Sequence, residues 1–554
     1  MNHTPTLTPT RRTVLTAGLV GTAAVAAPAL AAPSTAFAAP TPRQDPFTLG
    51  IASGDPWSTS VILWTRLALD PLAEDGLGGM PNASYTLRWE VASDERFRKV
   101  VRNGRAVAQP EFGHAVHVEA TGLRPDREYW YRFRLGRHVS PVGRTRTAPR
   151  PGAMPSSLSM AFASCAQYEH GWFTAYRRLA DERPDLVLHL GDYQYEYKAD
   201  AYVAPGGNVR DHEGPETTTL AGYRQRHAQY KADADLQAAH AVAPWLVTWD
   251  DHEVDNNWAD SIPENVAERP GFLARREAAF RAYYENMPLR PSSAPKGYDL
   301  QLYRRVQWGQ LATFHMLDTR QYRSDQACGD GWDTDCPEAS DRRRTITGTA
   351  QEAWLLDGFR DSEARWDLLG QQVFFAERDS DQGPATTVSM DAWDGYTASR
   401  QRITDGWLDA GVRNPVVLTG DVHTHWANEL KADWDDPTGR SIGTELVCSS
   451  ITSGGNGSDS AIGSYPAQAW NPHIKFQNAL RGYVSTVITP DAMDVSFRCL
   501  PYVQEPGAQA FTRARFLVED RDATLNLVED NPIDVIEQPA ARQLAETARI
   551  ESQA

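Results

Sequence analysis

The stretch LSMAFASCAQYEHGWFTAYRRLADERPDLVLHLGD, residues 158–192, decides the fold. An apolar run, LSMAFA, stops at Cys165. WFTAYRRLADE (172–182) follows with helical spacing, and a second apolar run, LVLHL, stops at Gly191-Asp192. Short runs without polar alternation, separated by a helix, predict parallel strands buried on both faces. The rhythm persists downstream. YRQRHAQYKADADLQAAHAV (223–242) reads as helix and PWLVTWDD (244–251) as strand. QLATFHMLD (310–318), WDLLGQQVFFA (366–376) and NPVVLTGD (414–421) supply further strands. This is the pattern of an α/β domain, expected over 156–527.

Upstream, residues 46–150 read as β alone. TLGIASGD, SVILWTRL, YTLRWEVAS, HAVHVEATGL and EYWYRFRLG are strand-like runs broken by Gly, Pro and Asp. In EYWYRFR, Tyr129, Tyr131 and Phe133 point one way and Trp130, Arg132 and Arg134 the other. ATGLRPDREYWYRFR resembles the late strands of a fibronectin type III sandwich, which implies a small all-β domain before the α/β domain. Residues 39–45 and TAPRPGAMPSS (147–157) read as linkers. From 528 to 554 the chain becomes a polar tail ending in a helical pattern, ARQLAETARIES.

Residues 1–38 carry the marks of an export signal. Arg11 and Arg12 precede an apolar run from Val14, and Ala36-Phe37-Ala38 fits a cleavage site, with Ala29-Leu30-Ala31 as an earlier option. The arginine pair followed by Val14 and Leu15 reads as a twin-arginine signal, so the export machinery of that route is an expected partner. An ordinary secretory signal with a chance arginine pair is the alternative. Twin-arginine export carries folded proteins, which suits a metal loaded before secretion. No other apolar run is long enough to span a bilayer.

The full chain of 554 residues has a net charge of −17. Removing 38 residues with two arginines and no acidic side chain takes it to −19. That balance excludes a nucleic-acid-binding surface, which rests on cationic contacts to phosphates. A phosphate-bearing substrate then needs local positive charge, and bound metal ions can supply it. The five cysteines suggest two disulfides, Cys328–Cys336 around CGDGWDTDC and Cys448–Cys499 near two strands, leaving Cys165 over.

Four strands of the α/β region stop on metal-capable residues. They end at Cys165; at Asp192 and Tyr195; at Asp250, Asp251, His252, Glu253, Asp255, Asn256 and Asn257; and at Asp421, His423 and His425. Ligands in open α/β sheets bind outside the carboxyl ends of strands, so the four ends are expected to converge. Asp192 has two oxygens with which to bridge cations. Cys165 as thiolate and His423 suit iron or another transition metal, and Tyr195 offers a phenolate. Asp251, Asn256 and Asp421 offer hard oxygens for calcium or magnesium.

GDYQY resembles the G-D-x-x-Y block of metallophosphoesterases and purple acid phosphatases. Together, SGDP, LWTRL, FASC, GDYQYEY, WDDHEVDNNW and TGDVH resemble the alkaline phosphatase D family, over about residues 48–430. The resemblance implies a sandwich of two packed β-sheets flanked by helices, after a small β domain, and hydrolysis of phosphate mono- and diesters. It implies one Fe3+ held by Cys165, Asp192, Tyr195 and His423. It implies one or two Ca2+ held by Asp192, Asp251, Asn256 and Asp421. The nucleophile would be a metal-bound oxide or hydroxide. His252 stands where relatives place a histidine that steadies the transition state or protonates the leaving oxygen; orienting Asp251 is its alternative role. His425 is expected to cap or pack. LLGQQVFF lacks the histidine that many relatives carry at their fourth block, so no role attaches there. An alternative substrate is a phosphatidylcholine-type phospholipid, cleaved in the manner of similar secreted metal-dependent phospholipases D. A remote alternative is a non-catalytic secreted binding protein.

Overall fold

The computed structural model describes residues 41–533 apart from 435, 437 and 438. The expected export signal, with Arg11 and Arg12, and the helical pattern of 541–552 lie outside the described residues. Leu158–Ala163, Leu186–Leu190 and Pro244–Thr248 form three parallel neighbours in a ten-stranded sheet. Ala312–Met316, Trp366–Gly370, Pro415–Thr419 and Ser441–Val447 run parallel in a seven-stranded sheet facing it.

The side-chain period of two decides the layers. In Leu186–Leu190, Leu186, Leu188 and Leu190 enter the core between the sheets with Phe162, Phe314, Leu368 and Leu418. Val187, between them, joins the opposite face with Trp245 of the neighbouring strand and with Tyr176 and Phe280 of the covering helices. On the far side of the second sheet, Leu369 and Val417 pack against Phe359, Ile403 and Trp407. Helix, sheet, sheet and helix therefore stack in four layers. Both faces of each central strand are buried, which is why those strands are apolar throughout.

The N-terminal β region is joined to this stack through the backbone. Ile51–Gly54 pairs in parallel with Pro244–Thr248, and Ser60–Arg66 and Ala115–Thr121 continue the ten-stranded sheet. A smaller sheet built on Tyr85–Ala92, Val100–Ala108 and Glu128–Leu135 closes over them. Val61, Leu63 and Val118 share a core with Leu87, Tyr131 and Phe133. The far edge strand, Asn526–Asp530, straddles the expected domain boundary at 527 and pairs with Phe511–Glu519.

Two expectations are corrected. WDLLGQQVFFA is a strand only over Trp366–Gly370. Gln372 leaves the sheet, its amide donating to Trp249 O at 2.7 Å and Thr248 Oγ1 at 2.8 Å, which ties the two sheets together. Cys328 and Cys336 form a disulfide, but Cys448 and Cys499 are both free and buried. Cys448 Sγ sits 3.2 Å from Ser164 Oγ and 3.4 Å from the Thr419 carbonyl, in the layer between the sheets. Cys499 instead lies near Arg513 and Asp459. Cys448 fills apolar space as a small hydrophobe, and burial raises both thiols above the usual range. Unfolding without reductant should therefore expose three titratable thiols per chain, Cys165, Cys448 and Cys499. A titration that finds one would restore the second disulfide.

Candidate metal centre

The parallel strands of both sheets end at one edge, and the turns that follow are strained. Cys165, Asp192, Asp421 and His423 have φ of 60°, 53°, 62° and 50°, in the left-handed region that non-glycine residues rarely adopt. Glycine makes the close approach possible. A Cβ on Gly191 would stand 2.4 Å from Asp250 Cβ, and one on Gly420 would stand 2.7 Å from Ser164. Asp192 and Asp250 on one sheet, and Cys165 and Asp421 across the two, are thereby drawn together.

Three overlapping groups of ligand atoms result, each within 4.8 Å internally. Cys165, Asp192 and His423 form the first; Asp192, Asp251 and His252 the second; Asp250, Asp251 and Asp421 the third. Asp192 links the first two and Asp251 the last two. The Tyr195 hydroxyl donates to Asp192 Oδ2 at 3.1 Å and lies 3.1 Å from His423 Nε2 and 2.7 Å from Ser453 Oγ. Asp192, Asp251, Asn256, Asp421 and His423 line one cavity of about 390 Å³ with His252, Tyr197, Tyr202 and Glu264. The Asn256 amide donates to Glu264 Oε1 at 2.6 Å. His425 is buried elsewhere; its Nδ1 accepts from Ser449 N at 3.0 Å.

Electrostatics mark the same place. Burial, reinforced by Asp251, pushes Asp192 well above the ordinary carboxylate range. Burial, with Asp391 adding to it, brings Asp421 to about 7. Burial and then Asp192 raise the Cys165 thiol and the Tyr195 phenol. Burial, helped by the Arg481 charge, lowers His423 to about 3, so its imidazole is neutral and free to ligate. Burial opposes charge on His252, but Glu196, Asp251 and Asp192 outweigh it and raise its pKa well above the ordinary value. Asp250 Oδ2 and Asp251 Oδ1 are buried without a hydrogen-bond partner. Crowded carboxylates with orphaned oxygens are what a cation would relieve, so the donor set fits metal ions.

Three supporting residues stand behind these groups, and of them the sequence singles out only Glu253, as a metal-capable residue with no stated role. Glu253 accepts from the backbone N–H groups of Asp192, Tyr193 and Asp250 at 3.0, 2.6 and 2.9 Å, clamping two strand ends. Glu196 accepts from Asn256 N at 3.0 Å and meets His252 Nδ1 at 2.9 Å. Arg320, fully buried, donates to Asp250 Oδ1 at 2.5 Å. Glu253 and Glu196 stand inside the WDDHEVDNNW and GDYQYEY blocks, which was the available signal. Arg320 follows the strand end in LDTR, where an arginine after an aspartate reads as a turn.

The family model described as PhoD-like phosphatase matches residues 160–497, and that of the PhoD-like phosphatase N-terminal domain matches 31–149. Alkaline phosphatase D of Bacillus subtilis (strain 168) is 50% identical over 496 residues, 90% of this chain and 85% of that protein. A solved structure described as the structure of PhoD superposes with a TM-score of 0.87 at 49% identity, over 93% of this chain and 99% of that one.

The clamp can be tested apart from chemistry. Replacing Glu253 with Ala strands three buried N–H donors and should cost about 3–5 kcal/mol, read as a lowered denaturation midpoint of the cation-free protein. An unchanged midpoint would remove the clamp.

Proposed function

The chain belongs to the PhoD-like phosphatase family and is a phosphoric ester hydrolase; on that premise we propose that it is a secreted, metal-dependent enzyme holding one ferric and one or two calcium ions. The observation that carries the reading is the composition of the cavity wall. Asp192, Asp251, Asp421 and Glu264 line it, and no lysine or arginine does among the described residues. A phosphate dianion cannot enter such a wall unless cations intervene. Cys165, Asp192, Tyr195 and His423 supply the soft and phenolic donors suited to iron, and Asp192, Asp251, Asn256 and Asp421 the hard oxygens suited to calcium. Bound there, the ions would neutralise the phosphate oxygens and activate the attacking water.

The chain's own groups do the rest. Asp192 joins the two halves. Glu196 fixes His252 through Nδ1, the Tyr195 ring stacks on the imidazole at 4.1 Å, and His252 lines the cavity as a proton donor to the leaving oxygen. Export by the twin-arginine route is consistent with a site that must be folded and loaded before it leaves the cell. No helix among the described residues is long and apolar enough to cross a membrane.

A second reading of the substrate has its own observation. Tyr197 and Tyr202 stand edge to face, 6.0 Å apart, and share the cavity with Glu264. Two aromatic faces and a carboxylate suit a quaternary ammonium, so a phosphatidylcholine-type headgroup is the alternative. A non-catalytic binder is the less favoured reading, since Cys165, Asp192, Asp251, Asp421 and His423 all fall within the three groups of ligand atoms.

Changing Cys165 to Ala should remove the iron and at least 10²-fold of activity while leaving the fold intact. Retention of both iron and turnover rules out the thiolate. Rates on p-nitrophenyl phosphate, its bis-ester and phosphatidylcholine, compared in the presence of calcium, divide the substrate readings. If Tyr202→Ala slows only the choline lipid, the headgroup site stands; equal slowing of all three discards it.

A further inference from the structure

Arg320 belongs to none of the ligand groups, yet it faces more carboxylates than any residue named above. Its side chain is fully buried. Nε donates to Asp250 Oδ1 at 2.5 Å, and the two Nη atoms fork onto the two oxygens of Asp391 at 2.8 Å each. Nη2 also lies 3.6 Å from Asp251 Oδ1 and 4.0 Å from Asp421 Oδ1. The fork is braced from behind, since Asp391 Oδ1 accepts from Gln326 Nε2 at 2.9 Å and pairs with the Arg323 charge, whose Nη1 lies 3.0 Å away. One guanidinium thus holds two carboxylates directly and stands outside two more, Asp251 and Asp421, that line the cavity.

We propose that Arg320 is a fixed cation of this cluster, a positioning residue that keeps Asp250 and Asp391 out of the coordination set, aims Asp251 and Asp421 at the cavity, and so limits how many divalent ions the site accepts. The inference rests on the reading of the cluster as a cation site. Its physical basis is geometric. Four carboxylates from three segments surround a point where a guanidinium already sits, and four carboxylates around one point is what a hard divalent ion would otherwise occupy. The planar fork keeps Asp391 and Asp250 aligned and adds a positive charge that opposes a further cation nearby. A lysine keeps the charge without the fork.

The experiment is calcium counting on the chelator-stripped full chain, by elemental analysis and by calorimetric titration with calcium alone. Arg320→Gln should bind one more calcium per chain than the parent. Adding Asp391→Asn to that variant should remove the extra equivalent. Arg320→Lys should keep the parent count. An Arg320→Gln protein with the parent's count and affinity overturns the proposal. Should that variant fail to fold, Asp391→Asn alone decides. It keeps the charge but releases one arm of the fork toward Asp251 and Asp421, so calcium affinity should fall about tenfold, and an unchanged affinity overturns the proposal. A parent chain that binds no cation defeats the cluster reading itself, whereas a binding parent with indifferent variants defeats only the role of Arg320.

Discussion

Carboxylates crowded out of water at the ends of parallel strands are the constraint to which the rest of this structure answers. Asp192, Asp250 and Asp251 are buried and Asp421 is partly buried, and each is close to at least one of the others. Such an arrangement is unfavourable by itself, through both lost hydration and mutual repulsion. Its neighbours are chosen accordingly. Glu253 spends its oxygens on backbone N–H groups, Glu196 on His252 and Asn256, and Arg320 on Asp250 and Asp391. What remains is one oxygen on each of Asp250 and Asp251 without a hydrogen-bond partner, and Asp251 lines the cavity suited to cations.

The strain in the turns is tolerated because the scaffold over-determines it. Left-handed conformations at Cys165, Asp192, Asp421 and His423 each cost free energy of order 1 kcal/mol or more. They persist because the strands before them are locked on both faces. The ten-stranded sheet runs without a break from the N-terminal β region to Asn526–Asp530, and Gln372 bridges it to the second sheet. The N-terminal region, expected as a separate module, therefore lends its strands to the sheet that carries half of the site.

The two halves of the cluster differ in chemistry. Sulfur, phenol and imidazole gather at one end, carboxylates alone at the other, and Asp192 belongs to both. This asymmetry supports two kinds of cation side by side. The cavity that both halves share is lined by histidines but by no lysine or arginine among the described residues.

The strand ends were legible in the sequence because they obey local rules. An apolar run buried on both faces, then Gly-Asp or Ser-Cys, is visible without knowing where the run lies. Cys165, Asp192, Asp251, Asp421 and His423 could all be named that way, as could the α/β class. Only the tertiary structure decided the rest. Whether Cys448 meets Cys499 depends on which layer each thiol enters, and spacing along the chain does not encode a layer. Arg320 is 70 residues from Asp250 and 71 from Asp391. No pattern within either segment announces that they meet. The residues that could supply ligands are written in the sequence; the charges that restrain those ligands come from segments distant in the chain, and only the packing of one sheet on the other brings them together.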